Sequence, residues 1–183
     1  ADVANYLKNE FNGIIDGQGY TLTVITGEAG RPYGGLFVNL YGSIINTNII
    51  LTRSDWGPGA GSHTPGFVQT LYGSIENCTV TFNATKFGNT WALQYALVSS
   101  MSAQASIRNV VFYAQAGLNV GGGVAWSADD YATVENVAFL QPTIDVSTMS
   151  VTGNLSNVYL FTSVANLFAG TASYEYKDGA FVA

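Results

Sequence analysis

The carboxylates are the first place to look for chemistry in this chain of 183 residues, which carries twelve Asp and Glu in all. A glycoside hydrolase needs two or three convergent acids, and a lyase needs acids clustered around calcium beside a Lys or Arg base. Of the twelve, only Asp129 and Asp130 are adjacent. Consecutive strand residues face opposite ways, so this pair meets one substrate atom only if it lies in a loop. Asp129 and Asp130, with Asp55, are therefore the candidates for a polysaccharide lyase or glycoside hydrolase. A solvated turn is the simpler account of the pair and the preferred one.

Other reactive side chains are isolated. His63, the single histidine, sits in Gly59-Ala60-Gly61-Ser62-His63-Thr64-Pro65 with Arg53 and Asp55 upstream, and neither a Ser-His-Asp arrangement nor a metal site can be assembled around it. Gly121-Gly122-Gly123 lacks the Lys-Ser of a phosphate loop. Cys78 has no partner for an internal disulfide and reads as a small core residue. Metal and cofactor are not expected.

Charge narrows the partners. The net charge of −6 and pI near 4.4 leave six scattered cations, too few and too dispersed to track a nucleic-acid backbone or an anionic membrane. No apolar run reaches the ~18–20 residues of a membrane helix, and Ala1 to Phe11 lacks the order of a signal peptide. A soluble segment, mature or excised from something longer, is expected. Membrane insertion and nucleic-acid binding are not.

The elements that must position these residues are announced by a repeat. Leu40-Tyr41-Gly42-Ser43-Ile44-Ile45-Asn46 recurs as Leu71-Tyr72-Gly73-Ser74-Ile75-Glu76-Asn77, then in reduced form as Ser106-Ile107-Arg108-Asn109, Thr133-Val134-Glu135-Asn136 and Asn154-Leu155-Ser156-Asn157. The steps between successive Asn are 31, 32, 27 and 21 residues. A solenoid of stacked strands tolerates such variation because only its strands must stay in register.

After each Asn, alternate positions are mostly apolar, beginning Thr47, Ile49, Leu51 and ending Val158, Leu160, Thr162. Before each Asn the apolar residue lies two positions back (Ile44, Ile75, Ile107, Val134, Leu155), so the inward phase slips by one residue there. Such a slip marks a bend, and Asn suits it because it tolerates the left-handed backbone region. The expected fold is all-β, a right-handed parallel β-helix in which Asn46, Asn77, Asn109, Asn136 and Asn157 stack into a hydrogen-bonded ladder at ~4.8 Å per step. Five unrelated turn residues in a β-sandwich are the competing account. Roughly six coils would make a rod about 30 Å long.

One domain is expected, with residues 1–12 as an N-terminal cap and 13–183 as the β-helix. Val3, Leu7 and Phe11 behind Asp2 predict a short capping helix over Asp2–Phe11. Ser54 to Pro65 and Gly117 to Gly123 read as protruding loops.

Two segments resemble the bacterial and phage β-helix repeats called GLUG-type. Phe11-Asn12-Gly13-Ile14-Ile15-Asp16-Gly17-Gln18-Gly19-Tyr20-Thr21-Leu22 is similar to their opening signature, and Gly34-Gly35-Leu36-Phe37 followed by Gly42-Ser43-Ile44-Ile45-Asn46 to their core unit. Val38 stands where that family commonly has Gly, and later coils keep only the apolar-x-Asn part. The resemblance implies a β-helix displayed on a cell or virion surface, usually as one segment of a longer protein, and supplies no catalytic residues.

The outward positions turn apolar toward the C-terminus. Val111, Tyr113, Leu140, Tyr159 and Phe161 are expected to form a face that meets another chain or segment. Trp56, Trp91, Trp126 and Tyr131 are candidate contacts for sugar rings, whose C–H faces stack on aromatic planes. Glu76, Arg108 and Glu135 share one repeat position and predict an exposed charge column worth at most ~1 kcal/mol per pair. The function expected is a non-catalytic structural or adhesive module of an extracellular, cell-surface or virion-surface assembly: a phage fibre, spike or capsid-associated protein, or a bacterial adhesin. Its expected partners are copies of itself or other chains of that assembly, and glycans.

Overall fold

The computed structural model describes residues 10–26, 36–53, 67–84, 96–114, 123–140, 153–178 and 180–183. The fold is all-β, with one short helix among the described residues. Its strands are β1 (Glu10–Phe11), β2 (Ile14–Asp16), β3 (Thr21–Thr26), β4 (Phe37–Leu40), β5 (Ser43–Ile45), β6 (Asn48–Arg53), β7 (Val68–Leu71) and β8 (Ser74–Ala84). They continue as β9 (Ala96–Met101), β10 (Ser106–Ala114), β11 (Gly123–Ala128), β12 (Thr133–Leu140) and β13 (Asn154–Phe161), then helix α1 (Val164–Ala169), β14 (Tyr174–Lys177) and β15 (Ala180–Val182).

Two sheets share these strands. One has five, in the order β1-β4-β7-β9-β11, and the other has ten, from β2 and β3 through β13 to the closing β14 and β15. From β1 to β12 the chain gives a strand to the small sheet, then one or two to the large sheet, and repeats. Each new strand pairs in parallel with its counterpart one repeat earlier, as Ile107 does with Ile75 and Val134 with Ile107. β8 illustrates how repeat and strand relate: it runs unbroken opposite both β5 and β6, which are separated at Asn46 and Thr47.

The period-two pattern fills the space between the sheets. Cys78, Val110, Val137 and Val158 stack as a column of almost fully buried residues on one side of the bend, and Ile44, Ile75, Ile107 and Val134 on the other. The small sheet contributes Phe37, Leu40, Val68, Leu71 and Val98 to the same cluster. Burying each such side chain stabilises the fold by about 1.5–3 kcal/mol. Within the core Phe82, Phe112 and Phe139 stack in sequence, with ring centroids 6.3 and 5.1 Å apart.

Two expectations change. The helix expected over Asp2–Phe11 lies outside the described residues except at its end, where Glu10–Phe11 is strand and pairs with Asn39 and Leu40. Interstrand bonding wins there, because an isolated helix this short is marginal in water. Glu10–Phe11 joins the five-stranded sheet, and Ile14–Asp16 and Thr21–Thr26 join the ten-stranded one. The C-terminal part also departs from the parallel pattern: β14 pairs antiparallel with β13, and β15 antiparallel with β14. Between them lies α1, started by Ser163, whose hydroxyl accepts from Asn166 N at 3.1 Å, and stopped by Gly170 at φ 66°. The expected loops at Ser54–Pro65 and Gly117–Gly123 lie outside the described residues, except that Gly123 is the first residue of β11.

Candidate functional site

Asparagine builds the most regular feature of the surface. Asn46, Asn77, Asn109, Asn136 and Asn157 all take the left-handed backbone conformation, with φ between 52° and 54°. That conformation turns the strand at the phase slip and sends each side chain out of the core, onto the one from the preceding repeat. Asn157 Nδ2 donates to Asn136 Oδ1 at 2.9 Å, Asn136 to Asn109 at 3.0 Å, Asn109 to Asn77 at 3.0 Å and Asn77 to Asn46 at 3.4 Å. The column continues one step beyond the five: Asn46 Nδ2 donates to Asp16 Oδ1 at 3.1 Å.

Asp16 is a residue that the repeat pattern alone did not single out for this role. Its turn, Asp16-Gly17-Gln18-Gly19-Tyr20, occupies the place of the single Asn in later repeats. Gln18 and Gly19 supply the positive φ, and Tyr20 N closes the turn on Gly17 O at 2.7 Å. The Asp-Gly signal was readable as a turn; its alignment with the Asn column was hidden by the added residues.

A second corner lies between the small and large sheets. Tyr41 N and Gly42 N donate to Phe11 O, and Tyr72 N and Gly73 N repeat this on Leu40 O. Backbones approach so closely that a Cβ on Gly42 would stand 1.8 Å from Gly13 O, and one on Gly73 1.9 Å from Gly42 O. Tyr41 and Tyr72 project from this corner and stack, centroids 4.4 Å apart at 11°. Partial burial, then the nearby Glu10 charge and Tyr72, push the Tyr41 phenol above its ordinary range.

Asp129 and Asp130 occupy the same corner two repeats later, where it is widened into a hydrogen-bonded turn. Ala132 N donates to Asp129 O at 2.9 Å, and Tyr131 N to the Asp129 carboxylate at 3.0 Å. Asp129 thus holds its own turn, and both acids are exposed. Asp55, like His63, lies outside the described residues. Among the described residues no three His, Cys, Asp or Glu side chains are grouped to hold a metal ion. No helix among them is long and apolar enough to cross a membrane.

Of the candidate sugar contacts, Tyr131 is 80% exposed on the Asp129 turn. Trp126 belongs to β11, its side chain outside those described, and Trp56 and Trp91 lie in segments outside the described residues. The expected partner face is only partly outward. Val111, Tyr113 and Tyr159 are half-buried, but Leu140 and Phe161 are each only 6% exposed. These two, partners across β12 and β13, are buried within the chain itself. Tyr159 instead lines a shallow cavity of about 180 Å³ with Ser173, Tyr174, Glu175, Lys177 and Val182.

The charge column forms in half. Arg108 Nε lies 3.3 Å from Glu135 Oε2, both side chains being about two-fifths exposed. Glu76 holds the register position on the other side of Arg108 without an ion pair to it. Lys177 pairs with Glu175 at 2.7 Å, a contact that raises the ammonium above its ordinary range.

These arrangements present amide, hydroxyl and phenol groups in columns along the strand-stacking direction, with polar side chains bonded to their counterparts in neighbouring repeats. Ser74 bonds to Ser43 at 3.0 Å and Thr79 to Asn48 at 2.9 Å in the same manner. Comparison of the chain with protein-family models, with curated proteins and with solved structures finds no match in any of the three.

Proposed function

We propose that the two sheets are faces of a right-handed parallel β-helix, and that this β-helix is a non-catalytic structural or adhesive module of an exposed surface assembly. A phage fibre, spike or capsid-associated protein and a bacterial surface adhesin are the settings that fit. The observation carrying the reading is the column from Asp16 to Asn157, in which six repeats each spend an outward polar side chain on bonding to the neighbouring repeat. Crossovers between parallel strands of one sheet are right-handed in about 98% of cases, which supports the hand. Asp129 and Asp130 serve as an exposed turn, which favours a scaffold over a hydrolytic centre. Tyr131 on that turn offers an aromatic plane to a sugar ring.

The test combines a glycan array, sedimentation velocity and a panel of polysaccharides incubated with the full chain. Glycan binding weakened by Tyr131→Ala, or reversible self-association, without product release, is the expected result. Release of reducing ends or unsaturated sugars that disappears in the Asp129→Ala/Asp130→Ala variant would replace this reading with an enzymatic one.

A further inference from the structure

The closest internal repeat in the sequence is Leu-Tyr-Gly-Ser-Ile, at residues 40–44 and 71–75, and its tyrosines take no part in the column at the other corner. The Leu and Ser are explained by the core and the strand start, the Gly by the close backbone approach. A tyrosine at this position needs its own account, because both rings point to solvent, 42% and 37% exposed.

Backbone bonds on both sides of Tyr41 and Tyr72 fix their spacing. Tyr41 N is held by Phe11 O at 2.9 Å and Tyr72 N by Leu40 O at 2.8 Å, so the two residues repeat at the distance between neighbouring strands. At this spacing the rings meet face to face, nearly parallel. Tyr20 and Tyr131 are more exposed, at 78% and 80%, yet stand in no ring pair among the described residues.

We propose that Tyr41 and Tyr72 form an oxidative cross-linking site, at which a peroxide-fed haem peroxidase joins the two rings into an intrachain dityrosine. Each phenol gives up one electron and one proton and becomes a phenoxyl radical, with spin on the carbons ortho to oxygen. Facing ortho carbons then combine their unpaired electrons in a carbon–carbon bond. Each of these carbons loses its hydrogen as a proton while the ring oxygen regains one, restoring two phenols. Two electrons and two protons leave in all, and one hydrogen peroxide is reduced to two waters. The product ties two neighbouring repeats covalently on the outside of the corner, where the strands are otherwise held by backbone bonds.

The experiment treats the full chain, at dilution, with hydrogen peroxide and a haem peroxidase. Dityrosine fluorescence is expected in the monomer band, and peptide mass spectrometry is expected to find the Tyr41 and Tyr72 peptides joined with the loss of two hydrogen atoms. Tyr41→Phe and Tyr72→Phe, which keep a stackable ring, should each abolish the monomer signal with unchanged circular dichroism, whereas Tyr131→Phe should retain it. The proposal is overturned if the monomer carries no such link, if coupling occurs only between chains through Tyr20 or Tyr131, or if the monomer fluorescence survives Tyr41→Phe.

Discussion

One oxygen of Asp16 accepts two donors, Gln18 N at 3.0 Å and Asn46 Nδ2 at 3.1 Å. The column above it has a direction, because every amide donates toward the N-terminus, so its first position must be an acceptor. A carboxylate fits, having no donor of its own to leave unpaired. Asp16→Ala removes both bonds and should lower stability by about 1–2 kcal/mol. Asp16→Asn keeps an acceptor oxygen and should cost less. Urea midpoints at constant slope measure the difference, and equal losses in the two variants would refute this account of the terminus.

Asn109 combines two roles that substitution can separate. It accepts from Asn136 and donates to Asn77, and its φ of 53° lies in the left-handed region. Asn109→Gly loses the amide bonds but tolerates the backbone, an expected cost of about 1 kcal/mol. Asn109→Ala loses the bonds and adds roughly 1–2 kcal/mol of left-handed strain. Alanine should therefore be the worse replacement, the reverse of the order in an ordinary strand. A glycine variant less stable than the alanine variant in urea titration would show that the left-handed backbone costs alanine nothing here.

Glycines 73 and 19 offer a second contrast. A Cβ at Gly73 meets the backbone of Gly42 at 1.9 Å, whereas one at Gly19 meets nothing within 4 Å and suffers only from φ of 82°. Gly19→Ala should cost about 1–2 kcal/mol. Gly73→Ala must push two strands apart and should exceed ~4 kcal/mol, the range reserved for gross disruption. Thermal melting of both variants decides whether the corner is as tight as the geometry requires.

The sequence showed the repeat because three independent signals agreed in it. The apolar period of two, the one-residue slip and the recurring Asn all mark the same bend, and Ile44, Ile49, Val80 and Val110 are buried where that pattern places them. Asp16 escaped because its turn replaces one corner residue with a longer loop, which breaks the apparent register while the backbone pairing of Asp16 with Ile45 keeps it. What buries Leu140 and Phe161 was hidden for another reason: alternation says which side of a strand a residue occupies, not what covers that side. Neither β14 nor β15 carries an Asn mark, since an antiparallel closing strand has no bend to make. The stacked tyrosines were present in the written repeat, but contact between their rings depends on register across neighbouring strands, which a linear pattern does not contain.

Cys78 provides a test with a pH readout. Its thiol is 3% exposed and lies 3.1 Å from Glu76 O, to which it donates. Burial pushes its pKa up, outweighing the backbone hydrogen bonds from Thr47 and Glu76 that act the other way. A folded pKa above the unfolded one means that the unfolded chain ionises first as pH rises. Stability should be flat below the ordinary thiol value of about 8.5 and decline above it, by at most about 1.4 kcal/mol per pH unit, until the folded pKa is passed. Tyr41, Tyr176 and Lys177 are also raised, but their ordinary values are 10.0 or above, so the window between about 8.5 and 10 isolates the thiol. Cys78→Ala should lower stability at every pH and remove the decline within that window. The same chemistry predicts that thiol reagents label the native chain only at the rate of its opening. An undiminished slope in Cys78→Ala, or prompt labelling of the folded protein, would show that the group is neither buried nor held as a neutral thiol.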